Sequence, residues 1–258
     1  MFRLVQPFGV GSRSGGGAGF VPTEVAGLLL WLKGDTGVYS DAGTTPAVNT
    51  DPVYQWNDQS GNANHVLQAT LGLRPLYATN IQNGKAVIDF DGSDDTLKNT
   101  ATSLITANTA YTVFVVAKSD IAGGGALFCI RLTTTYSGSI VVESAGVDYM
   151  HGDGVNAASN ITIADSAFKT SPFLTVHRYT GASAVPTFFV NAAERAVTGG
   201  TAQGTESGTT GFSVGMTTAA AVQWWNGWIA EVLFYNTALS TANRQSVESY
   251  LNSRWAIY

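Results

Sequence analysis

The chain is a succession of short apolar runs separated by clusters of glycine, asparagine, aspartate and proline. Short runs rich in β-branched and aromatic residues, bounded by such turn formers, mark β-strands. The pattern predicts strands over Leu28–Lys33, Ala86–Phe90, Tyr111–Lys118, Ala126–Leu132, Ser139–Glu143, Phe173–Tyr179, Thr187–Val190, Phe212–Met216 and Trp228–Tyr235. In Thr112-Val113-Phe114-Val115-Val116 and Leu174-Thr175-Val176-His177-Arg178, neighbouring side chains must point to opposite faces of a sheet. Strand follows strand with no helical segment between, which implies an antiparallel sandwich. One helix is predicted at the C-terminal end. Ser240 is placed to cap it, and Val247, Tyr250, Leu251 and Trp255 recur at helical spacing, so it should pack on the sandwich edge or rim.

Glycines 9, 11, 15, 16, 17 and 19 give residues 1–20 a composition that cannot form a packed element by itself. These residues read as an arm. Its apolar members Phe2, Leu4, Val5 and Phe8 are expected to anchor it in a partner surface, ordering on binding. Residues 21–258 show no linker or composition shift and read as one domain.

Composition narrows the function classes. There are 29 glycines where an average of about 7% would give about 18, and charged residues reach 12% against a usual value of about 25%. Six Trp, ten Tyr and twelve Phe supply a core, so the chain is globular and its surface polar without being ionic. A net charge of −5 with no basic cluster excludes a nucleic-acid partner. Cys129 is the only cysteine, which rules out an intrachain disulfide or a cysteine metal site; it reads as a small buried hydrophobe. Pro7, Gly9 and Gly11 interrupt any secretory h-region, and the longest apolar run, 28–32, is far short of the roughly 20 residues that span a bilayer. No membrane partner is expected.

Catalytic motifs are absent or fail on context. Gly211-Phe212-Ser213-Val214-Gly215 fits the pattern of a nucleophile elbow, but no helix follows and His65, His151 and His177 all precede Ser213, against the hydrolase order. Gly84-Lys85 lacks the upstream glycine of a phosphate loop, and the three histidines have no spacing that faces one metal. His177 reads as structural. The acidic run Asp89-Phe90-Asp91-Gly92-Ser93-Asp94-Asp95 fails as an EF-hand and reads as a strand entering a turn, its carboxylates capping backbone amides. No catalytic residue, metal ligand or cofactor is assigned.

Three motifs together resemble the laminin-G-like branch of the concanavalin A-like lectin and glucanase superfamily. They are Trp56-Asn57-Asp58-Gln59-Ser60-Gly61-Asn62-Ala63-Asn64-His65, then Gly84-Lys85-Ala86-Val87-Ile88-Asp89-Phe90-Asp91-Gly92-Ser93-Asp94-Asp95-Thr96-Leu97, then Asn226-Gly227-Trp228-Ile229-Ala230-Glu231-Val232-Leu233-Phe234-Tyr235-Asn236 before the terminal helix. With the opening strand Leu28–Leu32 the resemblance covers about 27–255. It implies an all-β, two-sheet antiparallel jelly roll with one C-terminal amphipathic helix. Some relatives bind a rim calcium, and Asp58, Asp91, Asp94 and Asp95 fall at the motif positions; turn capping is the role expected of them here. The Glu-x-Asp-x-x-Glu strand motif of the laminarinase-like enzymes is absent.

The resemblance, taken with the arm, implies a non-catalytic virion structural protein: a phage capsid decoration or a tail or fibre component, held among other virion proteins in multiple copies. The alternative is a bacterial surface or secreted carbohydrate-binding module; a glycoside hydrolase or lyase is third. Trp224, Trp225, Tyr149 and His151 are the expected glycan contacts, since aromatic faces stack on sugar rings. A weakly charged surface rich in Thr, Ser, Asn and Gln is expected to meet neutral sugars or protein neighbours by contact.

Overall fold

The computed structural model describes residues 19–106, 109–121, 125–130, 139–143, 146–150, 160–163, 171–181, 185–196, 211–216 and 223–258. Phe2, Leu4, Val5 and Phe8 of the arm lie outside the described residues, as does His151.

The strands are β1 (Leu28–Lys33), β2 (Val38–Tyr39), β3 (Gln55–Trp56), β4 (Val66–Leu67), β5 (Leu76–Gln82), β6 (Lys85–Asp91), β7 (Leu97–Asn99), β8 (Tyr111–Ser119), β9 (Gly125–Cys129), β10 (Ser139–Glu143), β11 (Gly146–Met150), β12 (Asn160–Ile163), β13 (Phe173–Tyr179), β14 (Thr187–Val190), β15 (Ala193–Arg195), β16 (Phe212–Val214) and β17 (Asn226–Tyr235). All nine predicted strands are present within a few residues of their expected ends. They form two antiparallel sheets. One has eight strands in the order β15-β14-β13-β8-β17-β6-β5, with β1 also paired to β17; the other has nine in the order β12-β11-β10-β9-β16-β7-β4-β3-β2. Sequence-distant strands are neighbours at the centre of each sheet, at β13-β8-β17-β6 in one and β9-β16-β7-β4 in the other, as in a jelly roll.

Leu32, Trp56, Ile88, Val115, Phe128, Phe212, Val232 and Phe234 fill the space between the sheets. Burying each such side chain contributes roughly 1.5–3 kcal/mol relative to exposure. A second apolar layer lies on the other face of the eight-stranded sheet, where Trp31, Phe114, Val116, Leu174, Trp228 and Leu233 meet the helix α1 (Thr241–Trp255) through Val247, Leu251 and Trp255. The helix starts as expected, with Ser240 Oγ accepting from the Asn243 N–H. Its position corrects the expectation of an edge or rim contact: it covers a sheet face, and the molecule has three layers. The cause lies in β8 and β17, which are buried along nearly their whole length and so leave no solvent face.

A register shift in β17 between Ile229 and Glu231 breaks the alternation. Ala230 and Glu231 consequently both face the helix layer. The buried Glu231 carboxylate accepts from Trp31 Nε1 at 2.6 Å, Trp255 Nε1 at 2.6 Å and Tyr250 Oη at 3.3 Å, and Arg254 Nε lies 3.0 Å away. Arg254 also pairs with Asp35. Burial raises the Glu231 pKa, against the pull of Arg254 and the two indole donors. This network ties β1, β17 and α1 together and is fully occupied within the fold.

Candidate functional site

The segment from Trp56 to His65 folds around one carboxylate. Buried Asp58 accepts from Trp31 N–H (2.8 Å) and Ser60 N–H (2.9 Å) at Oδ1, and from Ser60 Oγ (2.7 Å) and Asn64 N–H (3.0 Å) at Oδ2. Gly61 supplies a φ of +94° inside this tight loop. The loop delivers His65 in one orientation, because the Asp58 N–H donates to its Nδ1 at 3.0 Å. With Nδ1 accepting, the ring proton of the neutral imidazole sits on Nε2.

His65 stands at the mouth of a cleft of about 410 Å³ on the outer face of the nine-stranded sheet. Leu67 of β4 and Lys98 of β7 are cross-strand partners and form its floor. Both belong to the outward row Tyr39, Gln55, Leu67, Lys98, Ser213 that register carries across β2, β3, β4, β7 and β16. Residues 68–73 make one wall. Gln68 holds that wall in place, its Nε2 donating to the Thr96 carbonyl and its Oε1 accepting from Thr70 N–H. Arg74 braces it from behind through the Gln68 and Ala69 carbonyls, over the Tyr54 ring. Asn99 secures the opposite side by donating to the His65 carbonyl and accepting from Ala101 and Thr102 N–H. Burial draws the Lys98 pKa below the ordinary lysine value.

A cleft of this size that mixes apolar surface with placed polar groups is a usual form of a small-ligand site. Among the described residues its lining contains no carboxylate, so the paired acids of glycoside hydrolysis have no counterpart among them.

The acidic turn after β6 caps backbone amides, as the sequence suggested. Asp91 Oδ1 accepts from Ser93 N–H (2.8 Å) and Asp94 N–H (3.4 Å), and Asp95 Oδ2 accepts from Asp91 N–H (2.9 Å). One ligand atom each from Asp91, Asp94 and Asp95 lies within 4.8 Å of the others. That is a hard-oxygen set of the kind calcium takes; the ion surrounds itself with roughly six to eight oxygens, so carbonyls and water would supply the rest. Asp58 does not fit this role, since both its oxygens are committed to the loop. Asp95 is pushed up to about 6, by burial first and by its acidic neighbours, against the bond from Asp91.

Of the four expected aromatic contacts, Trp224 and Trp225 can be placed by their side chains. Trp225 is fully buried in the intersheet core, edge-on to Phe173, and offers no open face for a sugar. Trp224 is half-buried, bridges to Met216 and does not line the cleft. Gly125 explains this packing: at φ +84°, a Cβ there would lie 1.9 Å from the Trp224 carbonyl. Tyr149 is in β11, paired with Ile140 and Ile161. Ser213 is buried in β16 and donates to the Met216 carbonyl at 2.8 Å. His177 is buried against Phe188 and Tyr111, and Cys129 is buried in β9. Sequence reasoning missed Lys98 and Leu67 because their strands have only three and two residues; His65 was visible at the end of the first motif.

No protein-family model and no curated protein sequence matches this chain. Among solved structures it is similar to Trypanosoma rangeli sialidase in complex with 2,3-difluoro-KDN, at 12% identity and TM-score 0.58, covering 88% of this chain and 33% of that one. It is similar to the binding domain of Paraclostridial Mosquitocidal Protein 1, at 10% identity and TM-score 0.58, covering 91% and 53%. The binding domain of botulinum neurotoxin DC, solved with rat synaptotagmin II, gives 11% identity and TM-score 0.56, covering 88% and 51%. This chain thus spans about a third of the sialidase and about half of the toxin chains. At such identities the likeness is one of fold, a two-sheet antiparallel β-sandwich.

Proposed function

We propose that this chain is a non-catalytic glycan-recognition domain that binds a short saccharide segment in the cleft between β4 and β7. The observation that carries this reading is the cleft itself. A floor of Leu67 beside Lys98, with oriented polar groups around it, stands on an outward sheet face, and no carboxylate is in the lining among the described residues. Such a site holds a ligand and lacks an acid–base pair to cleave it. Lectin-like sandwiches are a common frame for this task, and the sialidase neighbour is itself solved with a sugar acid derivative.

A broad glycan array probed with the wild-type protein and with Ala69→Trp tests the reading. Ala69 is exposed on the cleft wall, so the indole fills the cleft with little cost to the fold. Binding by the wild type and its loss in the variant is expected. Equal binding by both moves the glycan site elsewhere.

A second reading concerns where the domain is displayed. The glycine-rich sequence of residues 1–20, with Phe2, Leu4, Val5 and Phe8, favours an arm that anchors a laminin-G-like domain on a virion, as a capsid decoration or a tail or fibre component. A bacterial cell surface is the alternative. Deleting residues 1–20 should abolish incorporation into particles while glycan binding persists; undiminished incorporation removes the anchoring role.

A further inference from the structure

We infer that the cleft selects acidic saccharides, seating a carboxylate or sulfate group on Lys98. The inference rests on the glycan-recognition reading of the same cleft. It follows from which polar atoms are already committed. The Gln68 and Asn99 side chains use both their donor and their acceptor sides to hold the walls. Among the lining side chains, those left uncommitted are the Lys98 ammonium, the His65 Nε2–H and the Thr100 hydroxyl. Two of these are donors only, and the hydroxyl is either.

A neutral sugar hydroxyl brings a donor of its own and needs an acceptor in return. An ionised carboxylate or a sulfate brings acceptors alone and matches this set. Leu67 and Leu73 supply the apolar surface on which the C–H face of the sugar ring can rest.

The state of Lys98 supports the same assignment. Among the described residues it has neither an ion pair nor a hydrogen bond, and half-burial lowers its pKa with no nearby carboxylate to offset it. A partly desolvated cation without a partner is stabilised by an arriving anion. Nucleic-acid phosphate is a poor match, since one lysine cannot follow a polyanion and the chain carries a net charge of −5. The cleft is therefore a local exception to the weakly charged surface anticipated from composition.

The test is a broad glycan array followed by titration calorimetry with three probes: oligogalacturonate for the carboxylate, sulfated galactan oligomers for the sulfate, and neutral β-glucan oligomers. Wild type, Lys98→Met and Lys98→Arg are compared after circular dichroism has verified the fold. An acidic probe should bind, and the acidic arm that responds identifies the group. Lys98→Met should weaken binding about 10- to 100-fold, the loss of one charge-assisted hydrogen bond, while Lys98→Arg retains most of it. Rising salt should weaken the wild type more than Lys98→Met. Neutral oligomers bound as well as acidic ones, with Lys98→Met and salt without effect, would overturn this inference and leave glycan recognition standing. Binding of no glycan on the array overturns both.

Discussion

Trp224 and Trp225 are adjacent in sequence yet occupy opposite kinds of environment. Composition marks both as large aromatic surface, but the partition is set by tertiary packing, in which Trp225 joins the intersheet core edge-on to Phe173, which no local pattern announces. Trp225→Ala should cost about 3–5 kcal/mol through the cavity it leaves; urea unfolding checks this, and a cost below about 1 kcal/mol would remove Trp225 from the core. Asp95 offers a second test at this scale. Its pKa is raised from 3.8 to about 6 in the fold, so the native state binds the proton more tightly than the unfolded chain. The contribution of this group to stability is greatest below about pH 3.8 and is lost as pH rises towards about 6. Asp95→Asn keeps an acceptor for the Asp91 N–H and removes the charge. It should gain about 1 kcal/mol at pH 7.5, after discounting for solvent screening, with no gain at pH 3.5. Thermal melts at the two pH values measure the difference; the same melts with millimolar calcium show whether Asp91, Asp94 and Asp95 hold the ion, which would stabilise the wild type and not Asp95→Asn.

Among the elements, the long strands were legible and the short ones were not. β8 and β17 run nine and ten residues and are apolar along most of their length, enough for a strand signal. β2, β3 and β4 have two residues each, too short for a strand signal, and are fixed by pairing and by one buried core residue apiece, Val38, Trp56 and Val66. The cleft floor lies on β4 and β7, so the site was hidden with its strands, while His65 and its loop were visible as a motif. Helix α1 was legible from its cap and spacing; its seat was not, because the shift in β17 that turns Glu231 towards it is a pairing property. Glu231→Ala strands two indole N–H groups and leaves Arg254 without its buried partner, so it should destabilise the fold by about 3–5 kcal/mol. Glu231→Gln, which keeps an acceptor, should cost less. Denaturant unfolding of the two variants checks the ordering, and equal stability would contradict the clamp.

Taken whole, the molecule uses its family-like motifs as scaffolding. Asp58 spends both oxygens on the loop that orients His65, the acidic turn caps itself, and the third motif supplies the central strand shared by both apolar layers. This is why the sandwich could be read from the residues while the cleft could not: the strongest patterns are those that build the fold, and the cleft draws on residues 65–73 and 98–101, which meet through the β4–β7 pairing and the Gln68 and Asn99 side chains. Whether a glycan binds in this outer-face cleft is decided by a crystal structure of the protein with the tightest-binding oligosaccharide from the array. A sugar ring should rest on Leu67 with an acidic group on Lys98 and the His65 Nε2–H; a sugar found instead beside Trp224 or on the Asp91–Asp95 turn, with the cleft holding only solvent, places the site elsewhere.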